Sequence, residues 1–441
     1  MQTIFPASKA KLIKLRLPNL LFFDHVQFIA IFVKMKFALL CTTAMLIGIA
    51  AHAQPCDYSI KKYAIRSEIN TSYGIAKAFS TKTDTLYLDV YKPINDKNTL
   101  RPIILFIHGG GFSGGNYKDV TNQAKAFAAR GYVAATASYR LGFFRPVVPD
   151  NYPFALDKAE PERAAYRAIQ DIKGAVRFLK GRNKADSSDV TNFFIGGFSA
   201  GAIISLNVAF ANGSKFKPAT CDSINTIVFQ GYSYKRPDLG PIDGTLNING
   251  QNNSVRGVLN YFGGVWDTTA LETATPAVFN YHQLGDPVVP AGINKPYYGL
   301  GFGISDNYPW VFGSTIISRR LKALGYTGNQ LRNRIISGNA HDVDNPALMD
   351  TMTANWASAV ICSAVAKVQK PNRQSVFSVI NQGHQKAILA HADAEVVIYD
   401  LAGKQLSKHL VKTGEQIALN ISPCLVRYHS NSGNGAFLCS P

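Results

Sequence analysis

Apolar and polar positions alternate along residues 85–91 (TLYLDVY), the spacing of a half-buried strand, and the pattern ends at Pro93. Residues 102–107 (PIILFI) are apolar without interruption, as a central strand covered on both faces requires. A helix is expected over 120–130, closed by Gly131, followed by a strand at 132–139 (YVAATASY). Residues 142–163 are rich in Pro and aromatic side chains and break this rhythm, as a surface loop or part of a lid does. Over 164–180, Ala168, Ile172, Ala175, Val176 and Leu179 recur at helical spacing and mark one apolar face. Phe193, Phe194 and Ile195 form another apolar run, and a helical-period segment begins just after Ser199. Strands are read at 255–262, 277–282 and 332–337, with a helix at 314–324 ended by Gly325. Strand and helix alternating in this way predict an α/β domain with a mostly parallel central sheet flanked by helices. At Lys370-Pro371-Asn372-Arg373 the pattern changes to short alternating segments (VFSVI, AEVVIYD, CLVRYH), which predict a small all-β module.

The first residues read differently. Met35-Lys36, the apolar FALLCTTAMLIGIA and the small residues Ala51-His52-Ala53 have the three-part layout of a secretory signal cut after Ala53. The apolar run is short for a membrane span, and residues 1–34 match no part of the layout, which suggests a true start at Met35. The expected organisation is a leader over 1–53, an α/β domain over 54–370 and a β-rich module over 371–441, in a protein that is secreted or held at the cell surface. Of the formal net charge of +18, +5 lies in residues 1–53. No Lys/Arg-rich run or nucleic-acid motif accompanies the remainder, so nucleic acid is not an expected partner, although a basic surface suits an anionic envelope or polysaccharide. Cys56, Cys221, Cys362, Cys424 and Cys439 follow the leader, an odd number that permits up to two disulfides and one free thiol. Cys424 and Cys439 are close enough in sequence to pair. No Cys/His spacing suggests zinc.

Candidate chemistry gathers at Gly196-Gly197-Phe198-Ser199-Ala200-Gly201. Glycines on both sides of one serine suit a sharp strand-to-helix turn, where Gly197 and Gly201 remove Cβ atoms that would clash. The Ser199 hydroxyl then stands at a helix N-terminus, where free N–H groups favour developing negative charge. His108-Gly109-Gly110-Gly111-Phe112 directly follows a buried strand and leaves backbone N–H groups open to a ligand. Asp286 precedes a proline, commonly the place of a turn or cap residue. His341 is the only histidine between Asp286 and Pro371, and a lone loop histidine is commonly just solvated. Residues 296–312 are dense in Tyr, Phe and Trp, fitting either surface packing or a pocket wall.

HGGGF after a strand, YRAIQDIKGAVRFLK, and GFSAG at a strand–helix turn, in this order, resemble the carboxylesterase/lipase branch of the α/β-hydrolase family over roughly residues 80–345. Ala202 stands where many relatives carry another glycine. The resemblance implies a Ser-His-Asp triad. Residues 282–290 resemble the family's HGxxD…VP segment with Asp286 as the acid, although Gln283 replaces the usual glycine. His341 follows the last strand, where the family places its base. Asp267, Asp306 and Asp344 are weaker candidates for the acid, and His108 and His282 are given structural or pocket roles. The resemblance also implies an oxyanion hole from the N–H groups of Gly110, Gly111 and Ala200, with no metal or organic cofactor. The expected activity is hydrolysis of carboxylic esters through an acyl-enzyme, on acylated carbohydrate or aryl esters. The alternatives are a catalytically inactive, hydrolase-like surface binding protein and a serine peptidase of the same fold. The peptidase type would normally carry a large propeller for which the chain has no room. In the tail, EVVIYDLAGKQL resembles the C-terminal sorting domain of Bacteroidetes type IX secretion substrates, which implies that secretion machinery as a partner. KPN stands in place of PNP and CLVRYH in place of GxYxx, and a carbohydrate-binding or stabilising module is the alternative.

Overall fold

The computed structural model describes residues 56–439 except 80–82, 145–153, 230–231, 273–275, 302, 369–376, 383–384, 392, 401–404, 420–423 and 431–432. The leader, and much of the Pro-rich loop read over 142–163, fall outside the described residues. The fold below is that of the unit Asp57–Pro441.

Its large sheet has eight strands: β1 (Ile65–Lys77), β2 (Thr83–Pro93), β3 (Arg101–Ile107), β4 (Val133–Ala137), β5 (Ser188–Phe198), β6 (Gly257–Tyr261), β7 (Ala277–Gln283) and β8 (Leu331–Ile336). They lie in the order β1-β2-β4-β3-β5-β6-β7-β8. β2 is antiparallel to both neighbours, and every pairing from β4 to β8 is parallel. This is the α/β-hydrolase fold. β1 had no clear signature in the sequence because it is an edge strand, largely exposed, with two register shifts against β2.

The uninterrupted apolar runs have a simple cause. Ile103, Leu105 and Ile107 of β3, with Phe193 and Ile195 of β5, join a core with helices α2 (Ala159–Gly181) and α3 (Ala200–Phe210). The alternate residues turn the other way: Phe106 meets Phe127 of α1 (Thr121–Ala128), and Phe194 and Phe279 meet Trp356. Both faces of β3 and β5 are therefore covered, and no position in 102–107 or 193–195 is open to solvent. Helix α4 (Ser314–Ala323) precedes β8, and Trp356 belongs to the closing helix α5 (Pro346–Val368).

Helix α2 is buried almost all round, more completely than its single apolar stripe suggests. Its polar face is laced to the irregular segments around it. Arg163 donates to the carbonyls of Thr220, Asp222 and Pro237, Gln170 to those of Leu239 and Pro241, and Arg177 to that of Leu246. Long polar side chains can satisfy such a surface because chain with no ladder of its own exposes carbonyl acceptors.

Beyond α5 the described residues form seven strands: β9 (Phe377–Gln382), β10 (Gln385–Ala390), β11 (Ala394–Tyr399), β12 (Gln405–Val411), β13 (Gln416–Leu419), β14 (Cys424–Ser430) and β15 (Gly433–Cys439). They form one sheet in the order β9-β10-β13 and another in the order β12-β11-β14-β15. Ile388, Val396, Ile398, Ile417 and Val426 share a core there. Cys424 lies opposite Cys439 in the β14–β15 register. Cys362 is disulfide-bonded, whereas Cys221 is a free, buried thiol whose pKa burial pushes up to about 12. Among the described residues, no helix is long and apolar enough to cross a membrane.

Candidate active site

β5 ends at Phe198 and α3 begins at Ala200, so one residue must turn the chain. Ser199 does so at φ 56°, ψ −121°, a strained conformation for a residue with a Cβ. Its N–H donates to the Tyr261 carbonyl at 3.0 Å, and its own carbonyl receives Ala202 and Ile203 at 2.9 and 3.0 Å. The flanking glycines are required by space. A Cβ on Gly197 would collide with the backbone of Gly201, and one on Gly201 with the carbonyls of Ile107 and His108. The turn is thus wedged against the end of β3, the strand that leads into the glycine loop.

His341 lies in the loop after β8. Its Nε2 is 2.8 Å from Ser199 Oγ and its Nδ1 is 2.7 Å from Asp286 Oδ2. A carboxylate only accepts, so Nδ1 carries the proton and Nε2 offers its lone pair to the Ser199 hydroxyl. Phe262 packs against the imidazole in a T-shaped contact, 4.7 Å between ring centres. Asp286 is wholly buried. Burial alone would push its carboxyl up. Hydrogen bonds from His282 and His341, the His341 charge and the Val288 N–H outweigh that and hold it at about 2. Its Oδ1 accepts from the N–H groups of Val288 and Val289 at 2.9 and 3.1 Å, while its backbone carbonyl receives the Tyr298 hydroxyl at 2.7 Å.

The glycine loop approaches the serine from β3. Gly110 and Gly111 have φ 108° and 59°, and the Gly110 carbonyl closes the turn by accepting from Ser113 and Gly114. The His108 ring stacks on Tyr139 at 4.4 Å, and a Cβ at Gly115 would strike both that ring and the Gly109 carbonyl. Among the described residues, the N–H groups of Gly110, Gly111 and Ala200 have no backbone or side-chain acceptor. Ser199, Ala200 and Gly111 open on a recess of about 20 Å³ whose walls include Phe112, Ile203, Val289, Tyr297 and Tyr308. It is wide enough for only one or two water-sized groups.

The structure therefore brings Ser199, His341, Asp286, Gly110, Gly111 and Ala200 to one place. The other acid candidates are engaged elsewhere. Asp267 caps the Thr269 N–H, Asp306 is exposed and lies near Lys295, and Asp344 is paired with Arg334. His108 organises the glycine loop, and His282 supports the acid: its Nε2 is 3.0 Å from the Val289 carbonyl and 3.4 Å from Asp286 Oδ2.

Gln283 has a role that the sequence did not disclose. Its Oε1 accepts from the Ala340 N–H and its Nε2 donates to the Asp342 carbonyl, both at 3.0 Å, so one amide brackets His341 on each side. Tyr281, two residues earlier on the same face of β7, accepts from the Asp344 N–H at 2.8 Å. The signal was available as the departure from the family's glycine at this position, but its meaning needed the partner loop.

Residues 88–275 match the BD-FAE family model. That segment contains the glycine loop, α2 and Ser199 but ends before Asp286 and His341. Among curated proteins, the chain is 32% identical over 126 residues to the neuroligin-like protein glit-1 of Caenorhabditis elegans, covering 28% of this chain and 16% of that one. It is 28% identical over 128 residues to the fumonisin B1 esterase of Sphingopyxis macrogoltabida, covering 29% and 23%. With gut esterase 1 of C. elegans it shares 26% over 172 residues, covering 38% and 28%. The chain thus spans less than a third of each of these relatives. Among solved structures, Thermogutta terrifontis esterase 2 phosphoramylated by tabun superposes with a TM-score of 0.43 at 15% identity, covering 69% of this chain and 95% of that one. A truncated carbohydrate esterase from gut microbiota gives 0.41 at 18% identity, covering 68% and 98%.

Proposed function

We propose that this protein is a serine hydrolase of carboxylic esters with short acyl groups, acting through Ser199, His341 and Asp286. The observation that carries the reading is the unbroken hydrogen-bonded chain from the Ser199 hydroxyl through His341 to a buried carboxylate, beside N–H groups without acceptors. His341 takes the hydroxyl proton as Ser199 Oγ attacks the ester carbonyl, and Asp286 fixes the tautomer and balances the imidazolium. The N–H groups of Gly110, Gly111 and Ala200 receive the oxyanion, each worth about 3 kcal/mol in the transition state. His341 then returns the proton to the leaving alcohol, and water repeats the sequence on the acyl-enzyme. The small recess beside Ser199 favours an acetyl group, and the aromatic residues around it suit a sugar or aryl alcohol. The fumonisin B1 esterase and gut esterase 1 are relatives whose names agree with ester hydrolysis.

The leader over 1–53 and the β-rich tail over 371–441 are read as export and type IX sorting signals around a catalytic domain over 54–370. On this reading the enzyme works at or outside the cell surface. Removing residues 371–441 in a host with that secretion system should retain the protein in the periplasm. Release at the wild-type level would remove the sorting role.

The test of the activity is turnover of p-nitrophenyl acetate, butyrate and octanoate by the mature chain and by Ser199→Ala. Acetate should be the best of the three, and Ser199→Ala should reduce all rates to background while keeping the wild-type melting profile. Equal rates in the two proteins would support the alternative of a binding protein with an inert triad.

A further inference from the structure

Among the described residues, eight non-glycine residues have positive φ. Asn70, Asn95, Ser187 and Asn247 are small polar residues, for which the left-handed region costs comparatively little. The other four are Phe112, Ser199, Phe262 and Tyr297, and all of them surround the site. Phe112, Ser199 and Tyr297 line the recess, and Phe262 packs on His341. A bulky aromatic residue at φ 63°, as at Tyr297, is a true outlier that survives only where the surroundings over-determine it.

The surroundings of Tyr297 do so. Its N–H donates to the Val288 carbonyl at 2.7 Å, in the same turn whose N–H groups hold Asp286. Its ring is held edge-on by Phe154 at 5.2 Å and Tyr308 at 4.9 Å. Its hydroxyl reaches so near Gly111 that a Cβ there would collide with the phenolic oxygen. The neighbouring tyrosines use their hydroxyls within the protein: Tyr139 donates to the His108 carbonyl, Tyr298 to that of Asp286, and Tyr308 accepts from the Ala155 N–H. Among the described residues, the Tyr297 hydroxyl alone of these four has no hydrogen-bond partner, and it faces the recess that Ser199 opens on. A phenol serving only as wall has no need of a hydroxyl turned toward the reacting centre, where phenylalanine does as well.

We propose that Tyr297 is a catalytic residue, its hydroxyl donating a hydrogen bond to the oxygen of the reacting carbonyl beside the N–H groups of the glycine loop. This rests on the reading of Ser199 as nucleophile. As the Oγ–C bond forms, the carbonyl π pair moves onto oxygen and the Ser199 proton passes to His341 Nε2. The Tyr297 proton stays on its own oxygen, and its hydrogen bond strengthens as the negative charge grows. A phenol is protonated at neutral pH in any case, and burial moves its pKa further up.

The test is Tyr297→Phe, which preserves the ring and its edge contacts. With p-nitrophenyl acetate, kcat should fall by about 10–100-fold with KM little changed. Inhibition by trifluoroacetone, whose carbonyl adds Ser199 Oγ to give a tetrahedral oxyanion, should weaken by a similar factor. A variant with wild-type kcat and wild-type inhibition overturns the assignment, and so does one altered in KM alone. Ser199→Ala is measured alongside. If it still turns over substrate, the hydrolase reading itself fails; if it is inert while Tyr297→Phe is fully active, only the role of Tyr297 falls.

Discussion

Asp286→Asn is a sharp perturbation because the site dictates which way the new amide must face. The N–H groups of Val288 and Val289 both point at Oδ1, so the amide oxygen takes that position. The NH₂ then occupies the place of Oδ2, 2.7 Å from His341 Nδ1. Two donors cannot face each other there. The imidazole loses its proton at Nδ1 and carries it on Nε2, where it can no longer accept from Ser199. The corresponding change in serine proteases lowers kcat by about 10⁴, and a loss of about 10³–10⁴-fold is expected in hydrolysis of p-nitrophenyl acetate at neutral pH. Stability offers a second readout. Asp286 titrates at about 2 in the folded protein against an ordinary 3.8, a depression worth about 2 kcal/mol. A depressed carboxyl stabilises the fold above its unfolded pKa and loses that contribution as pH falls through the folded value. Between pH 4.5 and 2, the wild type should therefore lose about 2 kcal/mol more unfolding free energy than Asp286→Asn, measured by urea titration. A variant that folds normally and retains kcat/KM within tenfold of wild type would refute the tautomer argument and reopen the choice of acid.

Gln283→Leu removes both braces of the His341 loop while preserving volume, leaving the Ala340 N–H and Asp342 carbonyl without their partner. We expect kcat to fall about 10–100-fold, with KM unchanged and a destabilisation of about 1–3 kcal/mol; an unchanged kcat would show that the loop holds itself. Gly201→Ala should yield little soluble protein, since the atoms in its way are the backbone carbonyls of Ile107, the last residue of β3, and of His108, which cannot move aside; a soluble, active variant by expression and turnover assay would contradict the wedge. Tyr308→Ala enlarges the recess beside Ser199 and should raise the butyrate-to-acetate ratio of kcat/KM severalfold; an unchanged ratio would place the acyl group elsewhere.

Much of the fold was legible in the chain because each element carries its own local cause. The runs at 102–107 and 193–195 are uninterrupted because helices cover both sheet faces, and Gly197 and Gly201 bracket Ser199 because no Cβ fits in the turn. Elements without such a cause were missed. β1 is an exposed edge strand, and α5 is apolar on too many sides to show a period. α2 showed its apolar stripe but not that its charged face would be buried against loop carbonyls.

For the site, the sequence by itself determined the strained turn at Ser199 and the bare amides of the glycine loop, since both follow from glycine placement within a few residues. Asp286 and His341 were nameable only through the order in which a resembling family presents its residues. Their distances of 2.7 and 2.8 Å, the depressed carboxyl and the tautomer belong to the tertiary structure. So do the bracket of Gln283 around His341 and the free hydroxyl of Tyr297 over Gly111. A hydrogen bond acts over about 3 Å whatever the sequence separation, and only folding decides which distant groups come within that reach.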